Sequence, residues 1–104
     1  MTKQNKIVTV KVTFKNTDAT DALKNYAQDK VSHCIQKFVH QDTEVHVVLN
    51  VNKRRQAAEV SLNTDGASFI AKEDTEDMYK SIDAIVDSLT SQLRKHKEKI
   101  TSHH

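Results

Sequence analysis

The 104-residue chain has no proline, no tryptophan, one glycine (Gly66) and one cysteine (Cys34). A single thiol excludes an internal disulfide framework and fits a reducing compartment. Without proline or glycine runs no linker is visible. One domain over 1–104 is expected, with an ordered core of about 7–98 and a polar tail at 99–104. No apolar run approaches the roughly 18 residues of a membrane span. No apolar signal region follows the polar lead-in Met1 to Lys6. The expected location is the cytoplasm, with no membrane partner. Aromatic residues make up only 5% of the chain, and all five fall at core-facing or core-edge positions. This disfavours a stacking platform for single-stranded bases, which needs exposed rings. Charge is nearly balanced, 16 Lys and Arg against 14 Asp and Glu, so only its distribution could mark a polyanion site. The six histidines form no spaced metal set with Cys34. There is no nucleophile elbow, phosphate loop or glycine-rich turn. No enzyme activity, metal, cofactor or small-molecule substrate is expected.

What the chain does contain is a long amphipathic stretch from Glu73 to Lys99. Met78, Ile82, Ile85, Val86, Leu89 and Leu93 recur in steps of three and four, which places them on one side of a helix. Asp74 or Thr75 is expected to cap its start, with Glu76 and Asp77 in the first turn. Arg94, Lys95, Lys97 and Lys99 supply the positive end that a helix dipole favours. Asp83 and Asp87 share helical spacing, but the middle of an amphipathic helix is a solvated face rather than a catalytic pair.

Ahead of it, Ile7 to Phe14 alternates, with Val8, Val10, Val12 and Phe14 on one face of a strand. Thr20 or Asp18 caps a helix that runs to about Phe38. Leu23, Tyr26, Ala27, Val31, Cys34, Ile35 and Phe38 form its apolar face, where Cys34 serves as a small buried residue. Thr43 to Asn52 alternates again. Lys53-Arg54-Arg55-Gln56 is a polar turn without glycine, expected to be wider than a two-residue hairpin. Ala58, Val60 and Leu62 mark a third strand, and Asp65-Gly66 signals a tight hairpin into a fourth at Ala67 to Lys72. The expected fold is α+β, a two-layer β-α-β-β-β-α arrangement with a four-stranded sheet and both helices on one face.

Positive charge clusters at Lys53-Arg54-Arg55 and at Arg94-Lys95-x-Lys97-x-Lys99. Lys24, Lys30 and Lys37, at roughly two-turn spacing, are expected near one side of the first helix, with His33 among them. If the helices lie side by side, these residues form a cationic strip for phosphates. Solvated surface lysines are the plainer account of the same charges.

Glu76-Asp77-Met78-Tyr79, Ile82-Asp83 and Gln92-Leu93-x-Lys95-x-Lys97-Glu98-Lys99 resemble the last helix of the bacterial ribosome hibernation promoting factors, a family that includes protein Y. The start Thr20-Asp21-Ala22-Leu23-Lys24 and the spaced cations of the first helix are also similar. The resemblance covers nearly the whole chain and is greatest to the short members. It implies a fold similar to a double-stranded RNA-binding domain. It also implies a monomer that binds rRNA of the small ribosomal subunit near the decoding centre, occluding mRNA and tRNA in stationary phase or stress. Lys24, Lys30, Lys37, Lys95 and Lys97 carry over, and His33 stands where the family often has a cation. The family's D-K-L-x-R-Q-L reads Asp87-Ser88-Leu89-Thr90-Ser91-Gln92-Leu93 here, so cations are missing at Ser88 and Ser91, and Arg94 is added. A protein-interaction module and a general double-stranded RNA binder are the alternative readings of the same fold.

Overall fold

The computed structural model describes residues 6–101. The lead-in before Lys6, His103 and His104 lie outside them. The elements are β1 (Val8–Lys15), α1 (Asp21–Gln36), β2 (Thr43–Asn52), β3 (Arg55–Thr64), β4 (Ala67–Thr75) and α2 (Met78–Thr101). One sheet has the order β1-β2-β3-β4. β1 pairs with β2 in parallel, Val10 beside Val45 and Val12 beside Val47. The remaining pairs are antiparallel. The α+β order and the two helices on one face are as the alternation and periodicity predict.

The inward face of the sheet carries Val10, Val45, Val47, Leu49, Ala58, Val60, Leu62, Phe69 and Ala71. It closes against Val31 and Ile35 of α1 and Met78, Ile82, Ile85, Leu89 and Leu93 of α2. Each large apolar side chain buried this way is worth about 1.5–3 kcal/mol. The outer face is polar, with Lys11, Thr13, Glu44 and His46 exposed, and Ile70 at 59% exposure is its large apolar exception.

Three local expectations are corrected. The long helix does not begin at Glu73. Glu73, Asp74 and Thr75 pair with Ala58, Ala57 and Gln56, because ten-residue β3 offers them ladder partners that outweigh local capping preference. The cap is Asp77, whose Oδ1 accepts the Tyr79 N–H at 2.9 Å, while Thr75 Oγ1 accepts the Asp77 N–H at 3.0 Å. Glu76 and Asp77 therefore precede the first turn instead of occupying it.

The second correction concerns the β2–β3 connection. Asn52 pairs with Arg55, leaving only Lys53 and Arg54 between the strands, so the turn is a tight hairpin despite its lack of glycine. Lys53 takes φ 59°, at a cost of about 1–2 kcal/mol that the flanking ladder offsets. At the β3–β4 turn Asp65 (φ 54°) and Gly66 (φ 73°) are both positive, as a type I′ turn requires.

Third, α1 ends at Gln36. Phe38 N–H donates to the Ile35 carbonyl at 2.9 Å in a tightened last turn. Lys6 Nζ donates to the carbonyls of Gln36 and Val39 at 2.6 and 2.7 Å, putting a cation where the helix dipole is negative. Thr20 is the start cap, its Oγ1 accepting the Leu23 N–H at 3.2 Å.

Both open sheet edges are met by a glutamine. Gln28 Nε2 donates to the Val10 carbonyl on β1 at 3.1 Å, and Gln92 Nε2 to the Ile70 carbonyl on β4 at 2.9 Å. Each removes an acceptor that an added strand would need.

Candidate nucleic-acid interface

The two helices run parallel. Tyr26 meets Asp83 near their starts, and Cys34 meets Thr90 two turns on. Between them lies a groove of about 410 Å³. Lys30, His33 and Lys37 rise on the α1 side and Arg94 on the α2 side, with Asp29 also on the rim. Its floor is Cys34, Val86, Thr90 and Phe38. Lys30, Lys37 and Arg94 come together because seven residues of α1 make nearly two full turns, while Val86, Thr90 and Arg94 step by four along α2.

The ends of this groove differ. At one, Tyr26 Oη donates to Asp83 Oδ1 at 2.6 Å, and Lys30 Nζ lies 3.9 Å from the same oxygen and 5.6 Å from the centre of the Tyr26 ring. Tyr79 packs edge-on against Tyr26, ring centres 4.9 Å apart. The hydrogen bond to Asp83, followed by partial burial and the Asp83 charge, holds the Tyr26 phenol above its ordinary range. At the other end, Lys37 and Arg94 have no ion-pair partner among the described residues. Positive charge there is unspent.

The remaining predicted residues lie elsewhere. Lys24 is exposed on the first turn of α1 and does not line the groove, because six residues from Lys30 leave it about 120° round the helix. The expectation that Lys24, Lys30 and Lys37 share one side holds only for the last two. Lys95 lines a separate depression with Gln92, His96, Glu98 and Lys99. Ser88 and Ser91 fall on the Lys95 side, turned from α1. Lys97 is exposed and, seven residues past Thr90, continues the groove line. Lys53, Arg54 and Arg55 stand at the opposite end of the molecule from Arg94. Ser81 Oγ donates to the Gln56 carbonyl, which ties the start of α2 to the hairpin end, while His96 lies 3.6 Å from Asp65 at the other hairpin. The stretch of α2 from Ser81 to His96 spans about 22 Å between them.

Arg55 is also committed locally. Its Nη2 donates to the carbonyl and the Oδ1 of Asp74 at 3.0 and 3.1 Å. That hydrogen bond, with the charge behind it, holds the Asp74 carboxyl below its usual range and pushes the Arg55 guanidinium up. Lys11 and Glu44 form a similar pair on the wet face at 2.9 Å, which lowers Glu44. Among the described residues no three His, Cys, Asp or Glu side chains converge as metal ligands, and no helix is long and apolar enough to cross a membrane.

The two-layer β-α-β-β-β-α arrangement is the fold of a known class. The sequence model of the sigma 54 modulation protein / S30EA ribosomal protein family matches residues 10–101, and the chain belongs to that family. Its relatives include proteins named ribosome hibernation promoting factor. The one from Azotobacter vinelandii is 39% identical over 90 residues, covering 86% of this chain and 83% of its own. The one from Klebsiella oxytoca is 34% identical over 92 residues, covering 88% and 96%. Two solved structures share the fold. A ribosomal subunit interface protein from Coxiella burnetii superposes with a TM-score of 0.75 at 22% identity, covering 85% of this chain and 96% of that one. The protein Y N-terminal domain of Thermus thermophilus gives 0.77 at 24%, covering 85% and 98%. The family is one of non-enzymatic ribosome hibernation factors.

Proposed function

We propose that this chain binds the small ribosomal subunit near the decoding centre and silences translation by occupying the path of mRNA and tRNA. The setting is the cytoplasm in stationary phase or stress. The observation that carries the reading is the convergence of Lys30, His33 and Lys37 with Arg94 in one interhelical groove. Charges so placed neutralise several phosphates at once, releasing counterions with each. Family membership supplies the ribosome as partner.

Within that reading the ten candidate residues divide by position. Lys30, His33, Lys37 and Arg94 form the principal contact, and Lys97 extends it by about one turn past Arg94. Lys53 and Arg54 form a second, separate contact at the far end. Lys24 and Lys95 add positive charge outside the groove, and Arg55 acts through its pair with Asp74. The chain acts as a single domain and is a monomer off the ribosome. A protein-docking module using a sheet edge is disfavoured by Gln28 and Gln92, which occupy edge carbonyls on both sides.

The test is sedimentation of stationary-phase lysate through a sucrose gradient with detection of the protein in each fraction. Co-migration with small subunits or whole ribosomes is expected. Migration only at the top of the gradient would sink the reading.

A further inference from the structure

We propose that the interhelical groove seats one unpaired nucleotide of RNA, its base against the floor and its phosphate at the Lys37–Arg94 end. This deepens the ribosome-binding reading and rests on it. Charge alone would be served by a flat cationic surface, yet the space between α1 and α2 is a concavity of about 410 Å³, within the size range of small-ligand sites.

The floor determines what can enter. Cys34 Sγ lies 3.1 Å from Thr90 Oγ1, and Thr90 Oγ1 donates to the Val86 carbonyl at 2.7 Å. These polar groups satisfy one another, so the floor asks for no further hydrogen bonds. Val86 and half-buried Phe38 complete it with apolar surface. A surface of that kind suits the π-face of a base, whose stacking tolerates any sequence. The rim determines the rest. Lys37 and Arg94, without ion-pair partners among the described residues, offer cations to a phosphate. Lys30 is drawn towards Asp83 at the other end. Asp29 is a rim acceptor, suited to a ribose hydroxyl or an exocyclic amine and repellent to a second phosphate. Duplex RNA has its bases stacked and paired, so it can reach the rim but not the floor. The low aromatic content that argues against a stacking platform does not apply to a half-open groove, which needs only one ring and an aliphatic wall.

The experiment is an NMR titration of the full chain with two probes, a six-nucleotide oligouridylate and a twelve-base-pair RNA duplex. Both should shift the Lys37 and Arg94 amides. Only the oligouridylate should shift the Val86 methyls and the Cys34 and Thr90 amides. Val86→Phe, which fills the slot without changing charge, should weaken oligouridylate binding at least about five-fold, the loss of one stacked base, and leave duplex binding unchanged. Thr90→Met serves the same purpose should Val86→Phe fail to fold. Oligouridylate shifts confined to the rim, or unchanged oligouridylate affinity in a folded slot-filling variant, would overturn the proposal. If those results came with wild-type small-subunit binding intact, the nucleotide site would fall and the ribosome reading would stand. Floor shifts in a protein that never binds small subunits would refute the ribosome reading instead.

Discussion

Tyr26 on α1 donates its hydroxyl to Asp83 on α2 at 2.6 Å, a polar tie between the helices near their starts, as Cys34–Thr90 is two turns on. The same carboxylate draws Lys30 towards the groove. One residue pair thus contributes both to the spacing of the helices and to the placement of a candidate phosphate contact.

Tyr26→Phe should lower stability by about 1–2 kcal/mol, a lost hydrogen bond to a charged group at a half-buried site. The tie raises the phenol above its ordinary range, so its contribution is complete below that range and disappears as pH rises through the folded value. Denaturant unfolding of both proteins from neutral to alkaline pH should show the difference narrowing at the high end. A constant difference would mean that packing, not the hydrogen bond, accounts for the loss.

On the sheet, Asp74 and Glu44 are held below the usual carboxylate range by Arg55 and Lys11. Their stabilisation is present above the ordinary carboxylate value and is lost as pH falls through the lowered folded values. Both pairs are exposed and screened, so the effect should be small. Asp74→Asn should flatten the acid limb of a plot of melting temperature against pH. An unchanged limb would remove this pair from the account.

Leu89 is fully buried against the sheet. Leu89→Ala should cost about 2–5 kcal/mol in thermal or denaturant unfolding, and Met78→Ala a comparable amount. A variant of full stability that no longer bound ribosomes would move these residues from core to interface.

Ser88→Lys with Ser91→Arg restores the cations common in the family, but on the Lys95 side of α2. If the groove is the principal contact, the double variant should bind small subunits with a modestly steeper salt dependence and a smaller change in affinity than Arg94→Glu causes. A gain larger than the Arg94→Glu loss would place the main contact on the Lys95 side.

Much of this architecture was legible in the residues. Period-two alternation located the first three strands, the Asp65-Gly66 hairpin signal the fourth, and the step from Met78 to Leu93 located α2, because burial on one face imposes those periods. The boundary at Thr75 was not legible, since a capping residue at the end of a strand reads as a helix start until the length of its ladder partner is known. The Lys53–Arg54 hairpin was hidden because ladder pairing, not glycine, drives Lys53 to φ 59°. The candidate site was half legible. The cations could be named from charge, and the pairing of Lys30 with Lys37 follows from helical spacing. Their meeting with Arg94 depends on how α1 lies against α2, a relation set by Tyr26–Asp83 and Cys34–Thr90, 57 and 56 residues apart. The Asp74 partner of Arg55 was equally out of reach, since it depends on the β3–β4 register.

If unspent charge in the interhelical groove holds the small subunit, that charge should govern both affinity and salt dependence. Purified small subunits are titrated at several salt concentrations with wild type, with Lys37→Glu plus Arg94→Glu, and with Lys53→Glu plus Arg54→Glu. Wild-type affinity should fall as salt rises. The groove variant should lose most of its affinity and flatten that dependence, while the hairpin variant should lose less. A groove variant that binds like wild type, at every salt concentration, would contradict the account.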